Sequence, residues 1–276
     1  ESSFQKIKFQ GKNIHIFRQG VQNGQKLLFL HGFNYFIKIY ASIINELVNS
    51  FDVLSIDLPG HGQSDAFEYY DLNLLMSCVQ EVCTQMQFRD FIVVGHSMGG
   101  LLAVSIFQSN VFKQMNVTHC VALAPAGIAT NLTIGSIFAL LSIKIQKLTD
   151  EQLFQKCIDR IDKVGTEKFG PYKEILFTTF RDTVSIDKVK YVHRQHIMLT
   201  SMPWKLGHQY FVNADSKNLK LIFYLGDETI HTKKSVSFVQ ENLRHAQLVL
   251  KEGSHEGCIV TPKQVAKEIL GLVQSK

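Results

Sequence analysis

The stretch from Phe91 to Phe107 constrains the fold of this chain more than any other. A β-branched and aromatic run, 91–94, precedes Gly95-His96-Ser97-Met98-Gly99, and an apolar run suited to a helix, 101–107, follows it. This order predicts a strand, a sharp turn with Ser97 at its apex, and a helix. A glycine-rich helix start that has no catalytic role would have a similar composition. The strand–helix context favours a functional turn, because small residues are needed where a strand and a helix crowd together.

Length and charge limit the classes of function that fit the chain. It has 276 residues, of which 45% are hydrophobic, which is enough for one large α/β domain or two smaller ones. The formal net charge is +5, but the 29 basic residues are scattered and form no long run. We therefore expect no nucleic-acid partner and at most a mild attraction to anionic surfaces.

The cysteines and the chain end bear on the compartment. Five cysteines, an odd number without metal-ligand spacing, favour buried or free thiols in a reducing compartment such as the cytoplasm or an organelle matrix. They are Cys78, Cys83, Cys120, Cys157 and Cys258. The chain begins at Glu1 without Met, so we expect that a preceding segment, for example a targeting segment, has been removed. The most apolar run, 134–145, is too short to span a membrane, and no transmembrane segment is expected.

Apolar patterns alternate between strand and helix along most of the chain. Strands are predicted at 4–9, 13–18, 26–30, 51–56, 91–94, 117–123, 218–225 and 246–250, and helices at 35–49, 69–87, 101–107, 232–242 and 262–274. This alternation predicts an α/β fold with a mostly parallel, twisted, eight-stranded sheet flanked by helices, and an antiparallel hairpin at one edge. Between 128 and 216 the alternation gives way to helical patterns. We predict a core formed by 1–127 and 217–276, with 128–216 inserted as a helical cap or lid.

Several loops rich in Gly, His and Ser directly follow the predicted parallel strands. They are His31-Gly32-Phe33, the loop 57–64, the Ser97 turn and Pro125-Ala126-Gly127. Functional groups of open α/β sheets gather at the carboxyl ends of the strands. The sequence therefore predicts one site at this edge, with the insertion positioned to cover it.

Four of these motifs together resemble the α/β-hydrolase superfamily, in particular its small capped serine esterases and lipases. The motifs are His31-Gly32-Phe33, Asp57-Leu58-Pro59-Gly60-His61-Gly62-Gln63-Ser64, Gly95-His96-Ser97-Met98-Gly99-Gly100 and Gly253-Ser254-His255-Glu256. They occur in the order and at the spacings of that family, over nearly the whole chain and most weakly in the insertion. The resemblance implies the α/β-hydrolase fold, hydrolysis of carboxylic esters, and neither a cofactor nor a metal.

The resemblance assigns roles to individual residues. Ser97 is the proposed nucleophile, and a serine hydroxyl needs a neighbouring base. The family order of serine, acid and histidine indicates that His255, in the loop after the last strand, is this base. The alternative is that His255 is an exposed loop histidine without a role, and the family order favours the base. The backbone N–H groups of Met98 and, by resemblance, Phe33 are expected to form the oxyanion hole.

The acid is where this sequence departs from the family pattern. Thr229 occupies the usual acid position, while Asp227 stands two residues earlier and Glu228 lies between them. In the favoured interpretation the loop is shifted so that Asp227 reaches His255. In a second interpretation Glu228 serves instead. In a third, no acid reaches His255 and the protein is a catalytically impaired structural or binding subunit. Asp57 is a further acid in principle, in a context typical of a structural loop.

The inserted segment offers candidates for a substrate pocket. Phe138, Leu141, Met202 and Trp204 are expected to line an apolar acyl pocket, but ordinary packing between cap helices explains them equally well. The expected substrate is a small ester with an apolar or lipid-like acyl group. Hydrolysis of a carbon–carbon bond stays open, because a fold does not determine a reaction. The sequence does not indicate an oligomeric state.

Overall fold

The computed structural model describes residues 3–129, 201–202, 207–227 and 229–274. The strands are β1 (Phe4–Phe9), β2 (Lys12–Gly20), β3 (Lys26–Leu30), β4 (Asp52–Ile56), β5 (Phe91–His96), β6 (Val117–Leu123), β7 (Leu219–Tyr224) and β8 (Gln247–Lys251). The described helices are α1 (Ala41–Leu47), α2 (Leu72–Gln85), α3 (Met98–Gln108), α4 (His208–Ala214), α5 (Thr232–Asn242), α6 (Gly257–Val260) and α7 (Pro262–Gln274). Short 3₁₀ segments cover Ile37–Tyr40 and Asn110–Met115.

The eight described strands form one sheet in the order β1-β2-β4-β3-β5-β6-β7-β8. β2 pairs antiparallel with β1 and with β4, and the other neighbouring pairs are parallel. The structure thus confirms the predicted α/β fold, with a mostly parallel sheet and a hairpin at one edge. All six residues of β5 are buried, as expected of a central parallel strand covered on both faces.

The helices pack in groups against the sheet. Helix α1 contacts α7, whereas α2 and α4 contact α3, which itself lies on β5 and β6. A parallel strand that is apolar on both faces can be buried only if helices cover both sides of the sheet. The site described below lies at the carboxyl ends of the parallel strands, where β3, β5, β7 and β8 end in loops.

Two predicted helix starts differ from the structure. The expected helix 35–49 begins later, as a 3₁₀ turn followed by α1, because the Tyr35 N–H donates to Gly32 O (3.1 Å) in a preceding turn. The expected helix 69–87 begins as α2 at Leu72. There the Asp71 carboxylate accepts a hydrogen bond from the Leu74 N–H (2.7 Å), which caps the helix at that point.

Most of the predicted insertion 128–216 lies outside the described residues. Helix α4 is its longest described element, and it packs on α3 through the fully buried Phe211. The division of the chain into a core and a cap therefore stays a prediction. Within the described ranges, no helix is both long enough and apolar enough to cross a membrane.

Candidate active site

Ser97 occupies a strained turn between β5 and α3. Its backbone has φ 54° and ψ −115°, a region that residues other than glycine rarely adopt. The Ser97 N–H donates to Leu123 O (2.9 Å), and Ser97 O accepts from the Ala126 N–H (3.0 Å). These bonds tie the turn to the end of β6, so the surrounding structure holds the strain. The geometry is that of the strand–turn–helix unit predicted from the sequence, with Ser97 at the apex of the turn.

The glycines on either side of Ser97 are required by close backbone approach. A Cβ atom at Gly95 would overlap Gly99 O, and one at Gly99 would overlap the carbonyl oxygens of Leu30 and His31. Because neither residue has a side chain, α3 starts directly against β5 and against the end of β3. The sequence motif is thus explained by packing.

His255 lies beside a carboxylate. Its Nδ1 atom is 2.7 Å from Asp227 Oδ2, and both side chains are buried. The other oxygen, Asp227 Oδ1, accepts a hydrogen bond from the Thr229 N–H (2.8 Å). Thr229 itself is exposed, and Glu228 lies outside the described residues. The loop therefore brings Asp227, and not position 229, to His255.

The surroundings of His255 raise its pKa above the ordinary value of 6.5. Burial lowers the pKa, but the hydrogen bond to Asp227 and the negative charges of Asp227 and Glu256 outweigh this effect. A carboxylate can only accept hydrogen bonds, so His255 Nδ1 carries a proton that is donated to Asp227. In the neutral imidazole the lone pair is then on Nε2, the atom that a general base uses.

The expected oxyanion donors lie on adjoining segments. Met98 is the first residue of α3, and Phe33 follows His31-Gly32 at the end of β3. The close approach of Gly99 to Leu30 and His31 brings these two segments together. The structure thus places Phe33 and Met98 on neighbouring segments, and their role as oxyanion donors stays a prediction.

Asp57, the other acid considered, faces a different histidine. Its carboxylate lies 2.8 Å from His15 Nδ1 and accepts hydrogen bonds from the N–H groups of Ile37 (2.7 Å) and Gln63 (3.0 Å). Asp57 is 2% exposed. These bonds hold the loop after β4 against the hairpin strand β2, as expected of a structural aspartate.

Of the residues expected to line a pocket, Met202 is described, and it is buried. Phe138, Leu141 and Trp204 lie outside the described residues. The cysteines that the structure describes, Cys78, Cys83, Cys120 and Cys258, are buried free thiols. Burial raises the pKa of each thiol, to about 12 for Cys83, so they are held in the protonated, unreactive form.

Two residues at the site had no assigned role in the sequence. His96 is the last residue of β5 and Tyr40 the last residue of the 3₁₀ segment Ile37–Tyr40, and no local pattern singles either of them out. In the structure they form a hydrogen bond, Tyr40 Oη to His96 Nδ1, of 2.6 Å. His96 Nε2 in turn lies 2.8 Å from the carbonyl oxygen of His255.

Comparison with known proteins identifies relatives for part of the chain. The model of the alpha/beta hydrolase family matches residues 27–210. The AB hydrolase superfamily protein YisY of Bacillus subtilis is 33% identical over 95 residues, covering 34% of this chain and 35% of that protein. Epoxide hydrolase 4 of Mus musculus is 29% identical over 101 residues, covering 36% of this chain and 28% of the relative. The matched regions thus span about a third of the length of these relatives.

Solved structures resemble the chain over its whole length. The enol-lactonase from Burkholderia xenovorans LB400 has a TM-score of 0.77 at 15% identity, covering 98% of this chain and 100% of the enol-lactonase. At so low an identity the likeness shows the fold and does not carry the activity across.

Proposed function

Because the chain belongs to the α/β-hydrolase family, we propose that it is a serine hydrolase that cleaves carboxylic esters through an acyl-enzyme on Ser97. His255 is the general base and Asp227 the acid that orients it. The observation that carries this proposal is the 2.7 Å contact between Asp227 Oδ2 and His255 Nδ1. It supplies the acid at the sheet edge that also holds the strained Ser97 turn.

In the first half of the reaction, His255 Nε2 takes the proton of Ser97 Oγ while Oγ attacks the ester carbonyl carbon. The N–H groups of Phe33 and Met98 donate to the oxygen that becomes negative. The carbon–oxygen bond to the leaving alcohol then breaks, and His255 returns the proton to that oxygen. Asp227 stabilises the imidazolium formed in between and keeps the ring in the correct tautomer.

In the second half, water replaces the serine as the attacking group. His255 accepts a proton from water as the water oxygen attacks the acyl carbon, and then gives a proton to Ser97 Oγ as that bond breaks. The products are the carboxylic acid and free enzyme. The chain's own residues supply every proton transfer in this scheme.

The alternative of a catalytically impaired subunit was motivated by Thr229 at the usual acid position. The contact between Asp227 and His255 supports the enzyme, because an acid two residues earlier takes over the orienting role. The apolar acyl substrate stays part of the proposal, resting on the apolar composition of the insertion.

A covalent probe tests the proposal directly. A fluorophosphonate should label the unmutated protein and should not label Ser97→Ala, since the probe reacts with an activated serine hydroxyl. The unmutated protein should also hydrolyse p-nitrophenyl esters, with a preference among acyl chains from acetate to palmitate that reports the pocket. Absence of both labelling and ester turnover would sink the proposal. Turnover of an epoxide such as styrene oxide without ester turnover would assign another hydrolase chemistry.

A further inference from the structure

A continuous chain of hydrogen bonds runs behind the candidate active site. The Gly32 N–H donates to Tyr40 Oη (3.0 Å), Tyr40 Oη lies 2.6 Å from His96 Nδ1, and His96 Nε2 lies 2.8 Å from His255 O. We call these four residues, Gly32, Tyr40, His96 and His255, the Tyr40–His96 chain. Its longest step, from His96 to His255, joins residues that are 159 positions apart in the sequence.

The donor and acceptor at each step follow from chemistry. A backbone carbonyl can only accept, so His96 Nε2 carries a proton and donates it to His255 O. In the neutral ring His96 Nδ1 then has the lone pair and accepts from the Tyr40 hydroxyl. The Gly32 N–H occupies an acceptor position on the Tyr40 oxygen, which leaves the hydroxyl proton for His96. All three bonds therefore have one direction.

Burial keeps this arrangement unchanged over the pH range in which an esterase works. Tyr40 and His96 are both completely buried. Burial, reinforced by the nearby His255 and His31, lowers the pKa of His96 well below 6.5, although its bond to His255 O opposes this. Burial likewise raises the pKa of Tyr40 well above that of free tyrosine. His96 thus stays neutral and Tyr40 stays protonated.

Other aromatic rings close the space around His96. The Tyr35 ring stacks on it with centroids 6.0 Å apart, and the His255 ring lies at 4.7 Å. Among the described residues, the titratable groups against His96 are thus Tyr40 at Nδ1, Tyr35 and His255, and His31 acts on its pKa electrostatically. The ring is fixed by packing as well as by hydrogen bonds.

Three of the four members of the Tyr40–His96 chain, Gly32, His96 and His255, adjoin or form a part of the proposed site, and Tyr40 links Gly32 to His96. Gly32 precedes Phe33, an expected oxyanion donor, and His96 precedes Ser97. His255 is the proposed base, held at its carbonyl by His96 and at its ring by Asp227. Fixing both ends of the base restricts its position relative to the serine. Such preorganisation lowers the barrier without direct contact with the substrate.

We propose that Tyr40 and His96 are positioning residues, which hold the oxyanion segment, the serine turn and the base loop in one fixed arrangement. This inference rests on the proposed function, because it assigns a role in the same reaction. It adds two residues to the machinery, neither of which touches the substrate or the reacting atoms.

The protein also contains a matched control for the loss of a buried hydroxyl. Tyr70 is also buried, and its hydroxyl also accepts a hydrogen bond from a backbone N–H, that of Phe67 (2.8 Å). Tyr40→Phe and Tyr70→Phe therefore each leave one backbone N–H without this acceptor. Tyr40→Phe also breaks the bond to His96, which Tyr70→Phe leaves in place. A general loss of packing or stability would affect both variants alike.

The kinetic test compares Tyr40→Phe, His96→Phe, His96→Gln and Tyr70→Phe with the unmutated protein on one p-nitrophenyl ester. We expect kcat to fall about tenfold in Tyr40→Phe and further in His96→Phe, with KM changed less than about twofold, as for lost transition-state interactions. His96→Gln should retain more activity than His96→Phe, because its amide has a donor for His255 O and an acceptor for Tyr40. Tyr70→Phe should keep the unmutated kcat. Melting temperatures show which variants are folded.

A spectroscopic test examines the Tyr40–His96 chain without relying on activity. In protein carrying ¹⁵N-histidine, the ring nitrogen shifts report the tautomer, and the His96 signals are identified by their loss in His96→Gln. We expect His96 in the Nε2–H tautomer, without titration between about pH 6 and 8. His31 provides an internal contrast. Its Nε2 accepts from the Leu58 N–H (2.9 Å), which puts the proton on Nδ1.

The outcomes separate this inference from the proposed function. Failure of the unmutated protein to react with a fluorophosphonate and to hydrolyse esters overturns the proposed function, and the positioning role with it. If the unmutated protein is active and Tyr40→Phe and His96→Gln each have the same kcat as Tyr70→Phe, the positioning role alone is overturned. An Nδ1–H tautomer or a titrating ring at His96 also overturns it, even where His96→Phe does not fold.

Discussion

The Asp227 carboxylate lies 2.7 Å from the Nδ1 atom of His255, although Asp227 stands two residues before the position at which the family carries its acid. The turn that makes this possible is built on the same side chain. Asp227 Oδ1 accepts hydrogen bonds from the N–H groups of Thr229 (2.8 Å) and Ile230 (3.3 Å), while Oδ2 faces His255. One buried carboxylate therefore both shapes the loop and contacts the proposed base.

Asp227→Asn should lower kcat of the proposed esterase by about 10⁴-fold, as in other triads whose aspartate is neutralised. An amide can donate to His255 Nδ1 and so favours the wrong tautomer of the ring. Steady-state kinetics with p-nitrophenyl esters measure the effect. Activity within about tenfold of the unmutated protein would show that Asp227 is not the acid.

Adding Thr229→Asp to Asp227→Asn should not restore activity. The Thr229 side chain is exposed, so a carboxylate placed there faces solvent and not His255. Thr229→Ala alone should leave activity nearly unchanged, because it is the Thr229 backbone N–H that bonds to Asp227. Recovery of activity in the double variant would mean that the loop adopts the family register in solution.

The raised pKa of His255 predicts a pH dependence of activity. Catalysis needs the neutral ring, so kcat/KM should fall as pH decreases through a midpoint above 6.5. Asp227→Asn should move the midpoint to lower pH, because it removes the negative charge and the acceptor that raise the pKa. A midpoint below 6.5 in the unmutated protein would contradict the assigned contact.

His255 also affects the stability of the protein, but with the opposite dependence on pH. The folded state binds a proton on His255 more tightly than the unfolded chain does, so the stabilisation by protonated His255 is complete below pH 6.5. It decreases as pH rises through the raised pKa of His255. Denaturant unfolding at several pH values, compared between the unmutated protein and Asp227→Asn, isolates this contribution. If the difference in the free energy of unfolding between the unmutated protein and Asp227→Asn does not change with pH, His255 makes no such contribution.

Asp57→Asn distinguishes the role of Asp57 in structure from the proposed role of Asp227 in catalysis. One carboxylate oxygen becomes an NH₂ group, which cannot accept a hydrogen bond. The variant therefore loses either the bond from the Ile37 N–H to Oδ1, or the bonds from the Gln63 N–H and His15 Nδ1 to Oδ2. We expect the free energy of unfolding to fall by about 1–3 kcal/mol, the cost of an unsatisfied buried polar group. The pH midpoint of kcat/KM should stay where it is. A shift of that midpoint would link Asp57 to the base.

Two glycine substitutions should act in opposite directions. Gly95→Ala should prevent stable folding or lower the melting temperature sharply, because its Cβ overlaps Gly99 O at the start of α3. Gly271→Ala, on α7, meets nothing within 4 Å and should stabilise the protein by roughly 0.5–1 kcal/mol, as alanine favours helix. Thermal unfolding of both variants measures the difference. Equal stability of the two would refute the close approach.

Local features of the sequence determined the architecture of this protein. The alternation of apolar strand and helix patterns predicted the parallel sheet, and the run from Phe91 to Phe107 predicted the Ser97 turn between β5 and α3. These predictions succeed because hydrophobic periodicity and glycine placement act over a few neighbouring residues. The family order of motifs by itself also indicated His255 as the proposed base.

The tertiary structure decided which side chains meet. Asp227 was one of three interpretations for the acid, and its loop is fixed by hydrogen bonds to Thr229 and Ile230 that no apolar pattern encodes. No local pattern singles out Tyr40, whose hydroxyl the fold places on His96, 56 positions away. Such contacts depend on strand order and loop conformation across the whole sheet. Local propensity fixes the elements, and only their packing brings distant polar groups within hydrogen-bond distance.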